Sequence, residues 1–541
     1  MTQIIEFLKK NWQTKLLILF IIVMVVPYCY LSLTTGHKFY SPDETANFVF
    51  TKNFVENSNL QIDIELNKQV ENVIFPRSVN VIAGHFVPMS FLGLPIFYGL
   101  IGKIIGINLV TFITPLLSLL AVFIFYLIIK EIFNKNIAFL SGLFLLFNPV
   151  YWYLAGKAML HNNLFVFFVI LGLWLLLLAL RKSNSLIYGL AAIVFGLSIW
   201  ARTSEIVWVG LLMLIFYIVN RKNVKAGEVG LFVVGFCGMV GLLLYVNYLT
   251  YDNIFRSGYS SLESQSSAGF SSLIAQIILP FGFKIKNIAF HVWEFFIKYL
   301  WFITLPALWG FIYFCKKGLS KLQKFYVYST GIVSLYLLTY YGSYWPWGEY
   351  GQPSTPEVLI GSPHLRYWLP VLILATPFMA IFLIEFLPRL FKLKKIVSLI
   401  PTVAFLILLL SFSVATVFYN PQEGFAKIRY DISDFGPRLT KVEALVEPEA
   451  ILIVPDWADR IFFPEYQVIH SLGDKAVYAG DAYSQIEKLI QLTPIYYYSA
   501  DSSDDIASLK VFLTRFNIKL EYLTDVFKDE KLYKVIYDSN N

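Results

Sequence analysis

Runs of apolar residues, broken by short polar connections, recur from Leu16 to about residue 418 and then stop. The first covers Leu16 to Leu33, and later ones fall near 108–129, 137–152, 163–180, 186–201, 206–220, 228–249, 293–314, 325–341, 367–386 and 396–418. Each is roughly long enough to cross about 30 Å of hydrocarbon, some only with help from flanking aromatics, so the pattern predicts about eleven membrane-spanning helices. Phe86 to Ile105 is apolar but rich in Gly and Pro. Counting it as a span spoils the charge parity of the loops, so it reads as an interfacial or re-entrant helix.

Charge then orients the spans. Lys9, Lys10 and Lys15 precede the first run, which places the N-terminus in the cytoplasm. No small-residue cleavage site follows that run, so it reads as a retained span rather than a signal peptide. Lys130 and Lys135, Arg181 and Lys182, Arg221, Lys222 and Lys225, Lys316 to Lys324, and Arg389 to Lys395 all fall on the same side. The opposite loops are poor in basic residues, and the contrast makes them extracytoplasmic.

Beyond Asn420 the pattern becomes that of a soluble fold. Ile451 to Asp456, Pro494 to Tyr498 and Lys531 to Tyr537 read as strands, and Ser484 to Leu492 and Ser502 to Phe516 as helices. The expectation is a transmembrane domain over 1–419, with a polar outer loop at 36–107, and a small extracytoplasmic α/β domain over 420–541.

Composition agrees. The chain is 57% hydrophobic and 15% charged, with mean hydropathy +0.63, as in a polytopic membrane protein. The net charge of +7 is loop asymmetry, not a nucleic-acid footprint. Cys29, Cys237 and Cys315 lie in or beside apolar runs, without metal-ligand spacing and without a disulfide framework.

Candidate chemistry gathers at the outer ends of the spans. Tyr40-Ser41-Pro42-Asp43-Glu44-Thr45 follows the first span and opens a helix. Ser41 as N-cap, Pro42 at the first position and Glu44 at the third form a potential capping box, which accounts for Glu44. It accounts less well for Asp43. Adjacent helical residues point about 100° apart, so the two acids do different jobs and Asp43 is the better general base.

Lys157 and His161 precede one span, Arg202 and Glu205 sit in a tight connection between two more, and His364 and Arg366 head another. For any one of these cations the alternative is interfacial snorkelling. Arg202 lies on the side the charge rule disfavours, which calls for an anionic partner, and a lipid phosphate suits its planar fork. His161, Glu205 and His364 are candidate site-lining residues. Asp252 and Glu263, in the loop after Thr250, are further candidates that nothing singles out. No nucleotide fingerprint is present, so an activated group reaching the outer face would be lipid-borne.

At this point the chain resembles the GT-C class of glycosyltransferases, and within it the protein O-mannosyltransferase and lipid-A aminoarabinose transferase group. Tyr40 to Thr45 is similar to that group's aromatic-x-Pro-Asp-Glu-x signature after the first span. The likeness covers roughly residues 15 to 220, with a second patch at His364 to Pro370. It implies a polyprenyl-phosphate-linked sugar donor, an inverting attack by the acceptor hydroxyl, and a cell-envelope location. The acceptor class is a lipid, a glycan or a protein. Carried over by residue, Asp43 matches the catalytic base, with Glu44 beside it, and Arg202 and Arg366 match basic positions that hold the donor phosphate. Lys157 and His85 are further phosphate candidates, His85 standing where the group has a basic-Pro-Pro stretch. Leu160-His161 replaces a frequent Leu-Asp pair, which weakens the case for a two-carboxylate metal site; the reading requires no cofactor and leaves a divalent metal open without support from the sequence. Two rivals remain: a transferase of whole lipid-linked oligosaccharides, and a lipid or solute transporter. Transporters place ionisable residues near the midplane, whereas here charges gather at one face.

Overall fold

The computed structural model describes residues 11–259, 278–344 and 358–537, apart from 393, 395, 396, 398, 456, 471–478 and 501. Lys9, Lys10, Glu263, Lys395 and Asp456 lie outside the described residues. The chain forms two compact units. One takes the described parts of Met1–Leu31, Phe112–Leu243 and Leu262–Lys427; the other those of Ser32–Thr111, Leu244–Ser261 and Ile428–Asn541.

The first unit is helical. Among the described residues, six helices are long and apolar enough to cross a membrane: Ile107–Ile132, His161–Lys182, Thr203–Asn220, Ala226–Tyr251, Pro363–Leu390 and Leu399–Tyr419. Two bent pairs raise the number to eight if each is one span. The expected eleven is not confirmed among the described residues. The Trp12–Val23 helix has 12 residues, Ser185–Ala201 has 17, and Lys321–Tyr340 is diluted by Tyr, Ser and Thr. Helices nonetheless stand at each of these places, so the pattern located the elements.

Local chemistry sets the breaks. Asn148 accepts from Val150 and Tyr151 backbone N–H groups, and Pro149 follows it as the first helical residue. This restart bends Pro149–Gly156 by 53° from Lys135–Leu146. Asn134 and Asn184 cap their helices in the same way, and Ser320 and Gln323 complete a capping box. Gly310 lets Trp301–Cys315 lie against Pro363–Ile381, since a Cβ there would land on the Phe378 carbonyl.

The second unit joins the first polar loop to the C-terminal part. Three short strands, β1 (Ile62–Asp63), β2 (Val79–Ile82) and β3 (His85–Pro88), form an antiparallel sheet with β3 in the centre. The Phe86 to Ile105 stretch is therefore not one interfacial helix. It opens as β3 and becomes helical only at Gly93–Ile105, where Gly99 and Gly102 press on Phe54 and Val55 of the helix Pro42–Asn57.

The C-terminal sheet has five strands: β4 (Ile451–Val454), β5 (Gln467–His470), β6 (Ile495–Ser499), β7 (Ile518–Phe527) and β8 (Glu530–Tyr537), in the order β5-β4-β6-β8-β7. β4 is parallel to β5 and β6 and wholly buried, as its unbroken Ile-Leu-Ile-Val demands. β8 runs antiparallel to β6 and β7. The helices Ala479–Leu492 and Ser503–Leu513 fall where the pattern put them, while β5 and β7 were not foreseen. A single parallel bridge, Phe75 to Ile469, ties the first loop to the edge of this sheet.

Candidate active site

The acidic motif occupies the first turn of the helix Pro42–Asn57. Ser41 is its N-cap in extended conformation and Pro42 its first residue, but Ser41 makes no side-chain cap bond. The capping box is thus not formed, and Glu44 is buried without that role, only 3% exposed. Asp43 is half-buried. Its Oδ1 accepts a 2.5 Å hydrogen bond from the Ser78 hydroxyl.

Ser78 stands in the left-handed region, φ 63°, next to Arg77. Arg77 is held by Asp459: its backbone N–H and Nε–H reach Oδ2 at 2.9 and 3.2 Å, and Nη2 reaches Oδ1 at 3.1 Å. On the other side of the motif, Arg460 Nη1 donates to the Tyr40 carbonyl, and its guanidinium lies 4.2 Å from the Tyr40 ring centroid. Burial pushes the Arg460 guanidinium below its ordinary pKa, countered by Tyr40 and Asp459.

His85 does not open a helix. It sits on β3 opposite Asp63, with Nδ1 3.4 Å from Oδ1. Lys68 shares that carboxylate at 3.0 Å, and its hydrogen bond holds the Asp63 acid below the usual range. A cavity of about 410 Å³ opens beside the motif helix, lined by Lys38, Phe48, Lys52, Glu56, Arg460 and Glu465 among others.

The remaining candidates lie in the helical unit. Arg202 and Glu205 form a buried pair, Nε to Oε1 2.9 Å and Nη2 to Oε1 2.8 Å. Tyr341 donates to the same Oε1 at 2.6 Å and receives from Arg202 Nη2 at 3.3 Å, while Trp208 Nε1 donates to Oε2 at 2.5 Å. Burial opposes the charge on Arg202, yet the Glu205, Tyr341 and Tyr367 oxygens win and raise its pKa above the ordinary value. The anion expected beside Arg202 is therefore supplied from within the chain.

Tyr367 stacks on Tyr341 with centroids 4.1 Å apart and 2° between planes. Its ring lies 5.6 Å from both the Arg202 and the Arg366 guanidinium carbons. The Arg366 carbonyl accepts from Asn162 Nδ2 at 3.5 Å, at the start of the helix His161–Lys182. Lys157, at the end of Pro149–Gly156, is buried over the Tyr153 ring at 5.5 Å, and His161 is buried as the first residue of its helix. His364 is buried against His291, centroids 4.4 Å apart. Asn162 and Tyr367 thus link the segments carrying His161, Arg366 and Arg202. Asp43, Glu44 and His85 belong to the other unit. Asp252 follows the helix Ala226–Tyr251.

Sequence reasoning missed Ser78, Arg77, Asp459 and Arg460 around the motif, and Tyr341 and Trp208 around Arg202. An Asp-Arg pair soon after a buried strand is a weak signal, and none pointed it at residue 43. Among the described residues no group of three or more His, Cys, Asp or Glu side chains could hold a metal.

The family model of the dolichyl-phosphate-mannose-protein mannosyltransferases matches residues 87–246. That stretch includes Lys157, His161, Arg202 and Glu205 and begins after the acidic motif. No curated protein sequence matches the chain. Among solved structures, ArnT from Cupriavidus metallidurans bound to undecaprenyl phosphate is similar at a TM-score of 0.55 and 12% identity, covering 96% of this chain and 97% of that one. The archaeal oligosaccharyltransferase AglB from Archaeoglobus fulgidus, in complex with an inhibitory peptide and a dolichol-phosphate, is similar at 0.58 and 12% identity, covering 98% of this chain and 75% of that one. The resemblance read from the motif is met: the chain has a GT-C-like fold over nearly its whole length and is similar, over residues 87–246, to the dolichyl-phosphate-mannose-protein mannosyltransferases.

Proposed function

We propose that the protein is a membrane glycosyltransferase that moves a sugar from a polyprenyl-phosphate donor to an extracytoplasmic lipid, glycan or protein acceptor. Asp43 is the general base. It takes the proton of the acceptor hydroxyl as that oxygen attacks the anomeric carbon, inverting it, and the lipid phosphate leaves with the electron pair of the broken bond. The observation that carries this reading is the Asp43 carboxylate itself, held by Ser78 at the head of its helix, directly after the first apolar segment.

Glu44, buried one residue on, sets the electrostatics around the base. Arg366 and Lys157 bind the departing phosphate, with Arg202 in support through the Tyr367 stack, and His85 is a further phosphate-binding candidate. An apolar pocket lined by Phe125, Val166, Trp208, Leu212 and Phe325 suits an isoprenoid tail, and Trp208 links it to Glu205. The cavity beside the motif helix is of saccharide size and supports an acceptor docking there. His161, Glu205 and His364 line or brace the donor side. The active site and the C-terminal fold face the extracytoplasmic side, an orientation supported by the loop charges.

The likeness to an oligosaccharyltransferase favours one second reading, transfer of a whole lipid-linked glycan. Mass spectrometry of surface glycans and glycolipids from cells with and without the protein tests both. Loss of a single sugar supports the first reading, loss of an entire glycan the second, and an unchanged profile defeats both.

A further inference from the structure

Asp43 is the second residue of its helix, where the Glu44 and Thr45 N–H groups both bond the Ser41 carbonyl at 3.1 Å. Ser41 makes no cap bond, and the Asp43 side chain is held from outside its own helix. The Ser78 hydroxyl does this at 2.5 Å, from a backbone conformation that costs a non-glycine residue about 1–2 kcal/mol. Such a conformation persists where its surroundings over-determine it. Here the neighbour, Arg77, is pinned by three hydrogen bonds to Asp459, a carboxylate only 1% exposed. The backbone N–H of Arg460 adds a fourth at 2.8 Å. Asp459 and Arg460 open a single short helical turn, Asp459–Phe462, so one rigid element grips the motif at Tyr40 and, through Ser78, at Asp43.

We infer that Asp459 and Ser78 are positioning residues for the Asp43 carboxylate, and that setting this side chain is what the C-terminal fold does in the reaction. The inference rests on Asp43 being the base. Ser78 fixes one carboxylate oxygen and thereby the direction of the other. It also favours the charged form, since a hydrogen bond donated to a carboxylate stabilises the anion. Asp459 acts at one remove, by holding the Arg77–Ser78 turn in place.

The test uses the full-length protein in membranes of cells lacking the native copy, with their endogenous lipid-linked donors. The transferred sugar is quantified by mass spectrometry across a pH series, and melting temperature is measured in detergent. Ser78→Ala is expected to cut the initial rate at least tenfold and move the acidic limb of the pH–rate profile upward, with melting nearly unchanged. Ser78→Thr restores both rate and profile. Asp459→Asn loses rate in the same direction, and combining Ser78→Ala with Asp43→Asn costs no more than Asp43→Asn alone. A Ser78→Ala protein that keeps the wild-type rate while Asp43→Asn is inactive overturns the positioning inference and leaves the base standing. A rate loss that tracks melting, with no shift in the profile and no rescue by Thr, overturns it too. Full turnover by Asp43→Asn defeats the underlying reading instead.

Discussion

Glu205 holds the guanidinium of Arg202, three residues before it, through Nε and Nη2 at 2.9 and 2.8 Å, and both side chains are buried. Tyr341 and Trp208 complete the carboxylate's shell. Removing one partner of such a pair strands a buried charge, which costs about 3–5 kcal/mol, whereas replacing both with apolar groups is often neutral. Glu205→Gln is therefore expected to lower the melting temperature sharply, and Arg202→Met with Glu205→Leu to recover most of it. A double variant no better than Glu205→Gln would show that the pair does more than balance charge.

Asp43→Asn keeps the shape of the side chain and removes its basicity. Transfer is expected to fall about a hundredfold or more, the usual contribution of a positioned base, with expression and melting unchanged. Product formation by membranes, normalised to protein, is the measurement.

Arg366→Ala removes a half-buried guanidinium from beside Tyr367. Loss of one charge-assisted hydrogen bond to phosphate, about 1.5–3 kcal/mol, predicts an apparent donor KM raised at least about tenfold. Acceptor KM should stay put. An unchanged donor KM would mean that this arginine only reaches for the interface.

Gly310→Ala drives a methyl into the Phe378 carbonyl. Both neighbours are helical backbone, so relief requires a helix to move, and the expected cost is about 1–3 kcal/mol. Thermal unfolding of the purified variant checks it.

A fusion to the C-terminus reports the side of the membrane on which the C-terminal fold lies. Under the proposed extracytoplasmic orientation, alkaline phosphatase is expected to be active there and green fluorescent protein dark. The reverse result would invert the whole topology.

The apolar runs made the long helices legible, because burial in lipid or against other helices leaves a compositional trace that needs no partner. Ile451 to Val454 was legible for the same reason: four consecutive apolar residues have nowhere to go but between layers. β1 to β3 were not. They are two to four residues long, and His85 and Asp63 pair across strands rather than along the chain. β7 hid because its exposed edge carries Lys519, Glu521 and Tyr522. The motif's place at a helix start could be read from Ser41-Pro42, since that geometry is local. The bond that sets Asp43 comes from 35 residues away, and the one that sets Arg77 from 382 away, distances over which no periodicity speaks.

That last separation bears on when the turn beside Asp43 can be held. Asp43 leaves the ribosome early, but the carboxylate that pins its supporting turn is synthesised 382 residues after that turn. A chain stalled or cleaved before residue 459 would insert its spans and display its acids, yet lack the latch.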